Sequence, residues 1–154
     1  MRYGFGCDHA GIDFKELLVR ELEGAGHEVV DMGTFTRELT DFPIYANKVA
    51  QAVSEGTLDL GVLVCGTGLG MAVAASRYPG IRAVAVSDCF SARMARRHTD
   101  ANILCLGARV LGEGAALEVL RAWLSAEFEG GRYEQRLQMM RGGYKGTSLE
   151  AAGS

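Results

Sequence analysis

Short apolar runs alternate with amphipathic stretches along the chain, and that alternation narrows the available folds more than any other feature. The runs are RYGFGC (Arg2–Cys7), HEVVDM (His27–Met32), Leu60–Cys65, Ile81–Val86 and NILCLG (Asn102–Gly107). They have the length of strands, and some are apolar without a break, as strands covered on both faces are. Between them the period changes. Over Gly11–Ala25, Phe14, Leu17, Leu18 and Leu22 share one helical face, and Lys15, Glu16 and Glu23 lie largely away from it. Further helices are expected over DFPIYANKVAQAVSEG, with Pro43 in the first turn, and after Gly70 as far as Tyr78-Pro79-Gly80. Others are expected over Asp88–His98, Gly112–Phe128 and about Tyr133–Met140. Five βα units predict a parallel sheet with helices on both faces. The 154 residues suit one domain, 1–141, and the Gly- and Ser-containing stretch 142–154 is expected to be a flexible tail.

In such sheets ligands bind beyond the carboxyl ends of the strands, where this chain gathers its polar residues. Asp8 and His9 follow the first run, Cys65–Gly70 the third, and Ser87 and Asp88 the fourth. The stretch VLVCGTGLGMAVAAS, Val62–Ser76, is the sharpest of these. Its glycines allow unusual dihedrals and let a ligand approach the backbone. The helix that follows presents free N–H groups to an anion, and a thiol held at such a point ionises more readily than a free one.

Blander assignments exist for each residue alone. Cys65 fits a buried structural thiol, His9 a cap, and His98 a helix-dipole partner. GGRYEQR fits a solvated helix start, although Arg132 and Arg136 stand four apart on one helical face and can grip one phosphate. A dinucleotide fingerprint fits poorly. The spacing is GxGxG rather than GxGxxG and follows the third strand, even though Asp88 stands where a ribose ligand would. No Lys-Ser/Thr follows the glycines, which argues against a P-loop.

A net charge of −3 supplies no field for nucleic acid or an anionic membrane. No apolar run approaches transmembrane length, and Arg2 leads directly into a strand-like run rather than a signal peptide. The four cysteines are scattered without zinc-type spacing, and three lie in or beside apolar runs, so a cytoplasmic location is expected.

Taken together, GCDHAG, TDFPIYA, VCGTGLG, RRHTDANILCLGARV and EGGRYEQR resemble the ribose-5-phosphate isomerase type B family, which also contains galactose-6-phosphate isomerase. The resemblance runs from residue 1 to about 140 with the motifs in order. It implies a Rossmann-like three-layer α/β/α sandwich on a five-stranded parallel sheet. It also implies a metal- and cofactor-free aldose–ketose isomerase acting on a sugar phosphate such as ribose 5-phosphate. The expected assembly is a homodimer, in some members a tetramer, with active sites shared between subunits.

Carried over by motif, Cys65 takes the carbon-bound proton. The backbone of Gly66, Thr67, Gly68, Leu69 and Gly70 stabilises the enediolate, with the Thr67 hydroxyl beside it. His98 opens the sugar ring from the neighbouring subunit. Asp8 holds sugar hydroxyls, and His9, Arg109, Arg132 and Arg136 bind phosphate.

Some relatives carry a glutamate base where this chain has Met71, which marks it as the cysteine type. The family commonly has Asn where this chain has Thr99, a shorter side chain with one hydroxyl in place of an amide. That departure leaves allose 6-phosphate, galactose 6-phosphate or a tetrose phosphate open as substrates. Two other classes compete. A sugar-phosphate-binding module would keep the arginines without needing Cys65 or His98, and a nicotinamide-dependent oxidoreductase would need a bound cofactor.

Overall fold

The structure, a computed structural model, describes residues 1–143. In chain order the elements are β1 (Arg2–Cys7), α1 (Ile12–Gly24), β2 (Glu28–Asp31), α2 (Phe42–Ser54), β3 (Leu60–Cys65) and α3 (Leu69–Ala75). They continue as β4 (Ala83–Ala85), α4 (Cys89–Thr99), β5 (Ile103–Gly107), α5 (Glu113–Leu124) and α6 (Arg132–Gly142). All strand pairs are parallel, in the order β2-β1-β3-β5-β4.

The apolar pattern explains this order. β3 and β5 are buried at every position and β1 at all but its first residue, so they form the centre. β2 and β4 are only partly covered and take the edges. Alternate side chains of the central strands feed two cores. Tyr3, Phe5, Cys7, Val62, Val64, Leu104 and Leu106 pack with α1, α4 and α5. Leu63, Cys65, Ile103 and Cys105 pack with α2 and α3 on the other face. Phe14, Leu18 and Leu22 bury the inward stripe of α1, and Leu17 stands half-buried at its margin. Each such side chain contributes about 1.5–3 kcal/mol when fully buried.

The departures from the sequence expectation have local causes. α3 begins at Leu69, not after Gly70, because Gly68 takes the left-handed cap position with φ 78° and Gly70 enters the first turn. α5 stops at Leu124 instead of reaching Phe128, and beyond it the Glu129 N–H donates to the Arg97 carbonyl, tying this strip to α4. β4 keeps only three of the six residues expected, since an edge strand pairs on one side alone. α6 runs on through Gly142, into the segment expected to be tail; residues 144–154 of that tail lie outside the described residues.

Candidate active site

The chain leaves β1 toward the α1 face and leaves β3 toward the α2–α3 face, so the sheet opens a crevice between the carboxyl ends of these neighbours. Asp8 and Cys65 stand on its two sides, joined by an Asp8 N–H bond to the Val64 carbonyl at 3.3 Å. Asp8 is buried, and its Oδ1 accepts from the N–H groups of Ala10 at 2.9 Å and Gly11 at 3.2 Å. The Thr40 backbone meets His9 Nδ1 through both its N–H and its carbonyl oxygen, each at 3.2 Å, which holds this edge of the ring in place. Thr40 is held in turn by a 2.9 Å hydrogen bond between its hydroxyl and that of Tyr45.

Cys65 ends β3 with its thiol buried, and the Gly68 N–H donates to Sγ at 3.2 Å. Thr67 is exposed, and its hydroxyl accepts from the Leu69 N–H at 3.3 Å. The exit of β5 straps this turn down. Ala108 N–H donates to the Cys65 carbonyl at 2.8 Å and Arg109 N–H to that of Gly66 at 2.9 Å. The approach is close enough that a Cβ on Gly107 would lie 2.8 Å from the Thr67 backbone. The exposed Arg109 side chain runs past Gly66. A depression of about 210 Å³ opens over the turn, lined by Thr67, Leu69, Val86, Ser87 and Val110 among others.

The other thiols differ in setting. Burial pushes Cys7 up to about 11, and burial followed by the neighbouring Cys65 pushes Cys105 up as well. Met71 is fully enclosed in the second core, so this position faces inward.

The remaining expected residues gather elsewhere. His98, in the last turn of α4, stacks on the Tyr133 ring with centroids 4.1 Å apart and planes 9° from parallel. Arg132 and Arg136 stand by the same ring, with guanidinium carbons 5.0 and 5.3 Å from its centroid. Arg132 Nη2 also donates to the Tyr133 hydroxyl at 3.0 Å. Glu129 pairs with Arg97 and places Oε2 3.9 Å from His98 Nε2. Thr99 turns its hydroxyl back onto its own helix, donating to the Ala95 carbonyl at 2.7 Å.

This cluster sits near the amino edge of the sheet. α4 runs antiparallel to the strands, and the Thr99 and Asp100 carbonyls accept from Arg82 Nε just ahead of β4. Cys65, paired with Gly107, lies at the carboxyl edge. At about 3.3 Å per residue, the length of β5 separates the two by on the order of 15 Å within one chain. The structure therefore brings together Asp8, His9, Cys65–Gly70 and Arg109, and separately His98, Thr99, Arg132 and Arg136. Sequence reasoning passed over Thr40, Tyr45, Glu129 and Tyr133. All four lie inside or beside the motifs noted above, but Thr40, Glu129 and Tyr133 meet histidines more than thirty residues away and Tyr45 bears on His9 through Thr40, so only the fold reveals them. Among the described residues, no group of three or more His, Cys, Asp or Glu side chains is arranged to hold a metal ion.

A parallel three-layer sandwich with a thiol and a glycine turn at its switch point defines a Rossmann-like α/β protein built to handle a small polar ligand. More specifically, the chain belongs to the Ribose/Galactose Isomerase family, whose model matches residues 4–140. It is 47% identical over 137 residues to ribose-5-phosphate isomerase B of Escherichia coli, covering 89% of this chain and 92% of that protein. It is 42% identical over 127 residues to a D-erythrulose-4-phosphate isomerase of Pectobacterium atrosepticum, covering 82% and 84%. The solved structure of Clostridium thermocellum ribose-5-phosphate isomerase B superposes with a TM-score of 0.88 at 46% identity, covering 91% of this chain and 95% of that one. The protein is thus an aldose–ketose isomerase by family.

Proposed function

We propose that the protein interconverts ribose 5-phosphate and ribulose 5-phosphate through a cis-enediolate, with Cys65 as the base. The observation that carries this is the thiol of Cys65 at the mouth of the sheet's switch point, with the Gly68 N–H aimed at its sulfur. Aldose-to-ketose conversion removes the proton from C2 while the electron pair moves toward the carbonyl oxygen. The same proton, or one from solvent, is then delivered to C1. It needs a base beside the carbon and hydrogen-bond donors beside the oxygens. Cys65 supplies the first. The N–H groups of Gly66 to Gly70 and the Thr67 hydroxyl supply the second, and Asp8 holds the sugar hydroxyls. His98 exchanges protons with the ring oxygen and the anomeric hydroxyl to open the sugar. His9, Arg109, Arg132 and Arg136 bind the phosphate.

Because Cys65 and His98 lie at opposite ends of the sheet in one chain, a complete site requires two chains. The working form is therefore a homodimer with shared sites. A thiol base needs reducing conditions, and all four cysteines are free, which supports action in the cytoplasm.

Thr99 favours a second reading, the same reaction on another sugar phosphate. Its hydroxyl is committed to Ala95 and offers the reacting end of a substrate less than an amide would. The relative named for a tetrulose phosphate adds weight. Turnover of ribose 5-phosphate, allose 6-phosphate, galactose 6-phosphate and erythrose 4-phosphate by the purified protein separates the two. A clear preference for ribose 5-phosphate is expected, and preference for another of these sugars would replace the pentose reading. Turnover of none would leave a binding module.

A further inference from the structure

We infer that Tyr133 is a positioning residue that couples the ring-opening histidine to the phosphate-binding arginines. The role presupposes that His98 opens the ring and that Arg132 holds phosphate, as proposed above. Tyr133 is almost fully buried, and its side chain touches both groups.

Its two ends do different things. The ring lies flat against His98, 4.1 Å between centroids and 9° from parallel, so the imidazole cannot rotate about its outer bonds without losing this face. The opposite constraint on His98 comes from Glu129, 3.9 Å from Nε2. The hydroxyl accepts from Arg132 Nη2 at 3.0 Å, which fixes one guanidinium of the pair, and the ring stands by both arginine carbons at 5.0 and 5.3 Å. Arg132 and Arg136 are four residues apart on α6, with Tyr133 between them in sequence and beside both in space. Both ends of the tyrosine thus bear on where the sugar ring lies when its phosphate is gripped. Phosphorus and ring oxygen are only four bonds apart in a furanose 5-phosphate, so holding the arginine and the imidazole by one rigid body removes freedom that would otherwise be lost at each turnover.

The two halves of Tyr133 can be tested apart. Tyr133→Phe keeps the stacked face and loses the Arg132 bond. It should raise KM for ribose 5-phosphate about two- to tenfold and leave kcat within about twofold. Tyr133→Leu removes the face as well and should lower kcat from ribose 5-phosphate about tenfold. Solvent deuterium exchange supplies the readout that general damage would not spare. Ribulose 5-phosphate is open-chain, because its O5 is esterified, so exchange at its C1 needs the enediolate step but no ring opening. Tyr133→Leu should keep this exchange within a few-fold of wild type. Equal loss of exchange and isomerisation in Tyr133→Leu, or unchanged KM in Tyr133→Phe, would overturn the coupling. Should Tyr133→Leu fail to fold, the KM of Tyr133→Phe still decides. Parallel His98→Ala and Arg132→Ala variants keep the two levels distinct. If both turn over ribose 5-phosphate normally, the roles given to these residues fall. If both are impaired and the Tyr133 variants are not, only the role of Tyr133 falls.

Discussion

At the scale of single residues, Cys65 and Gly107 separate chemistry from architecture. The Cys65 thiol is small and buried, and Cys65→Ala removes one sulfur from the second core. Such a variant should fold with a thermal midpoint close to the parent and lose isomerase turnover by about 10²–10⁴-fold, the usual cost of losing a general base. Retention of more than about a tenth of wild-type turnover would remove Cys65 from the role of base. Gly107→Ala should do the reverse of a clean deletion. Its new methyl would lie 2.8 Å from the Thr67 backbone, and neither strand end can yield without moving the turn that carries the thiol. Both thermal midpoint and kcat should therefore fall, measurable by calorimetry and by the isomerase assay. The place of Cys65 at a strand's end was legible in its motif, because an apolar run entering a glycine turn is a local pattern. The need for glycine at 107 was not, since it depends on a backbone forty residues earlier in the chain.

At the scale of elements, α4 and α6 carry the most information. The α4 N-terminus is capped by Asp88, whose Oδ1 accepts from the Ser91 N–H at 2.7 Å and whose carboxyl is held below its ordinary value by that bond. A carboxylate with a depressed value in the folded state stabilises the fold above its ordinary value of 3.8 and loses this as pH falls through the lower one. Asp88→Ala should accordingly lower the thermal midpoint at pH 7 and lower it less at pH 3, below the ordinary value, where the parent has begun to lose the same contribution. Equal destabilisation at both pH values would show that the cap does not work through charge. At its other end α4 closes on Asp100, left-handed at φ 45° and bonded by Arg82 at 3.0 Å and Arg96 at 3.2 Å. Much of RRHTDAN thus holds the helix end in place, and His98 is the member given a chemical role in the proposed reaction. On α6, Arg132→Ala and Arg136→Ala should each raise KM for the sugar phosphate by about 10- to 100-fold with a smaller change in kcat. Steady-state kinetics on both variants checks this, and unchanged KM in both would move the phosphate elsewhere.

At the scale of the whole molecule, the decisive test is complementation. Cys65→Ala and His98→Ala chains, each inactive alone, should regain activity when mixed and allowed to re-associate. A mixed dimer then carries both lesions in one site and leaves the other whole. A verified heterodimer without recovered turnover would refute the shared site. The alkaline limb of stability is a second global property. Cys7 is raised to about 11 from 9.0, and Cys105 is raised too. Above pH 9 the unfolded chain releases protons from these thiols that the folded chain retains, so stability should fall as pH rises through the interval to about 11. Denaturant midpoints at pH 8 and 10.5 measure the drop, which Cys7→Ala should make shallower.

The sequence by itself determined the α/β class, the parallel sheet, the helix faces and the place of Cys65 at a strand's carboxyl end. Each of these follows from side-chain period and turn chemistry within a dozen residues. It also carried the arginine pair, because four residues make one helical turn. Tertiary structure decided the strand order that sets Asp8 beside Cys65 and the Thr40 contact that holds the His9 ring by its Nδ1. It also decided the stacking of His98 on Tyr133 and the separation of that pair from the thiol by the length of the sheet. Those depend on which surfaces meet after the chain has turned back on itself, and no local pattern encodes a contact whose partners lie thirty to a hundred residues apart.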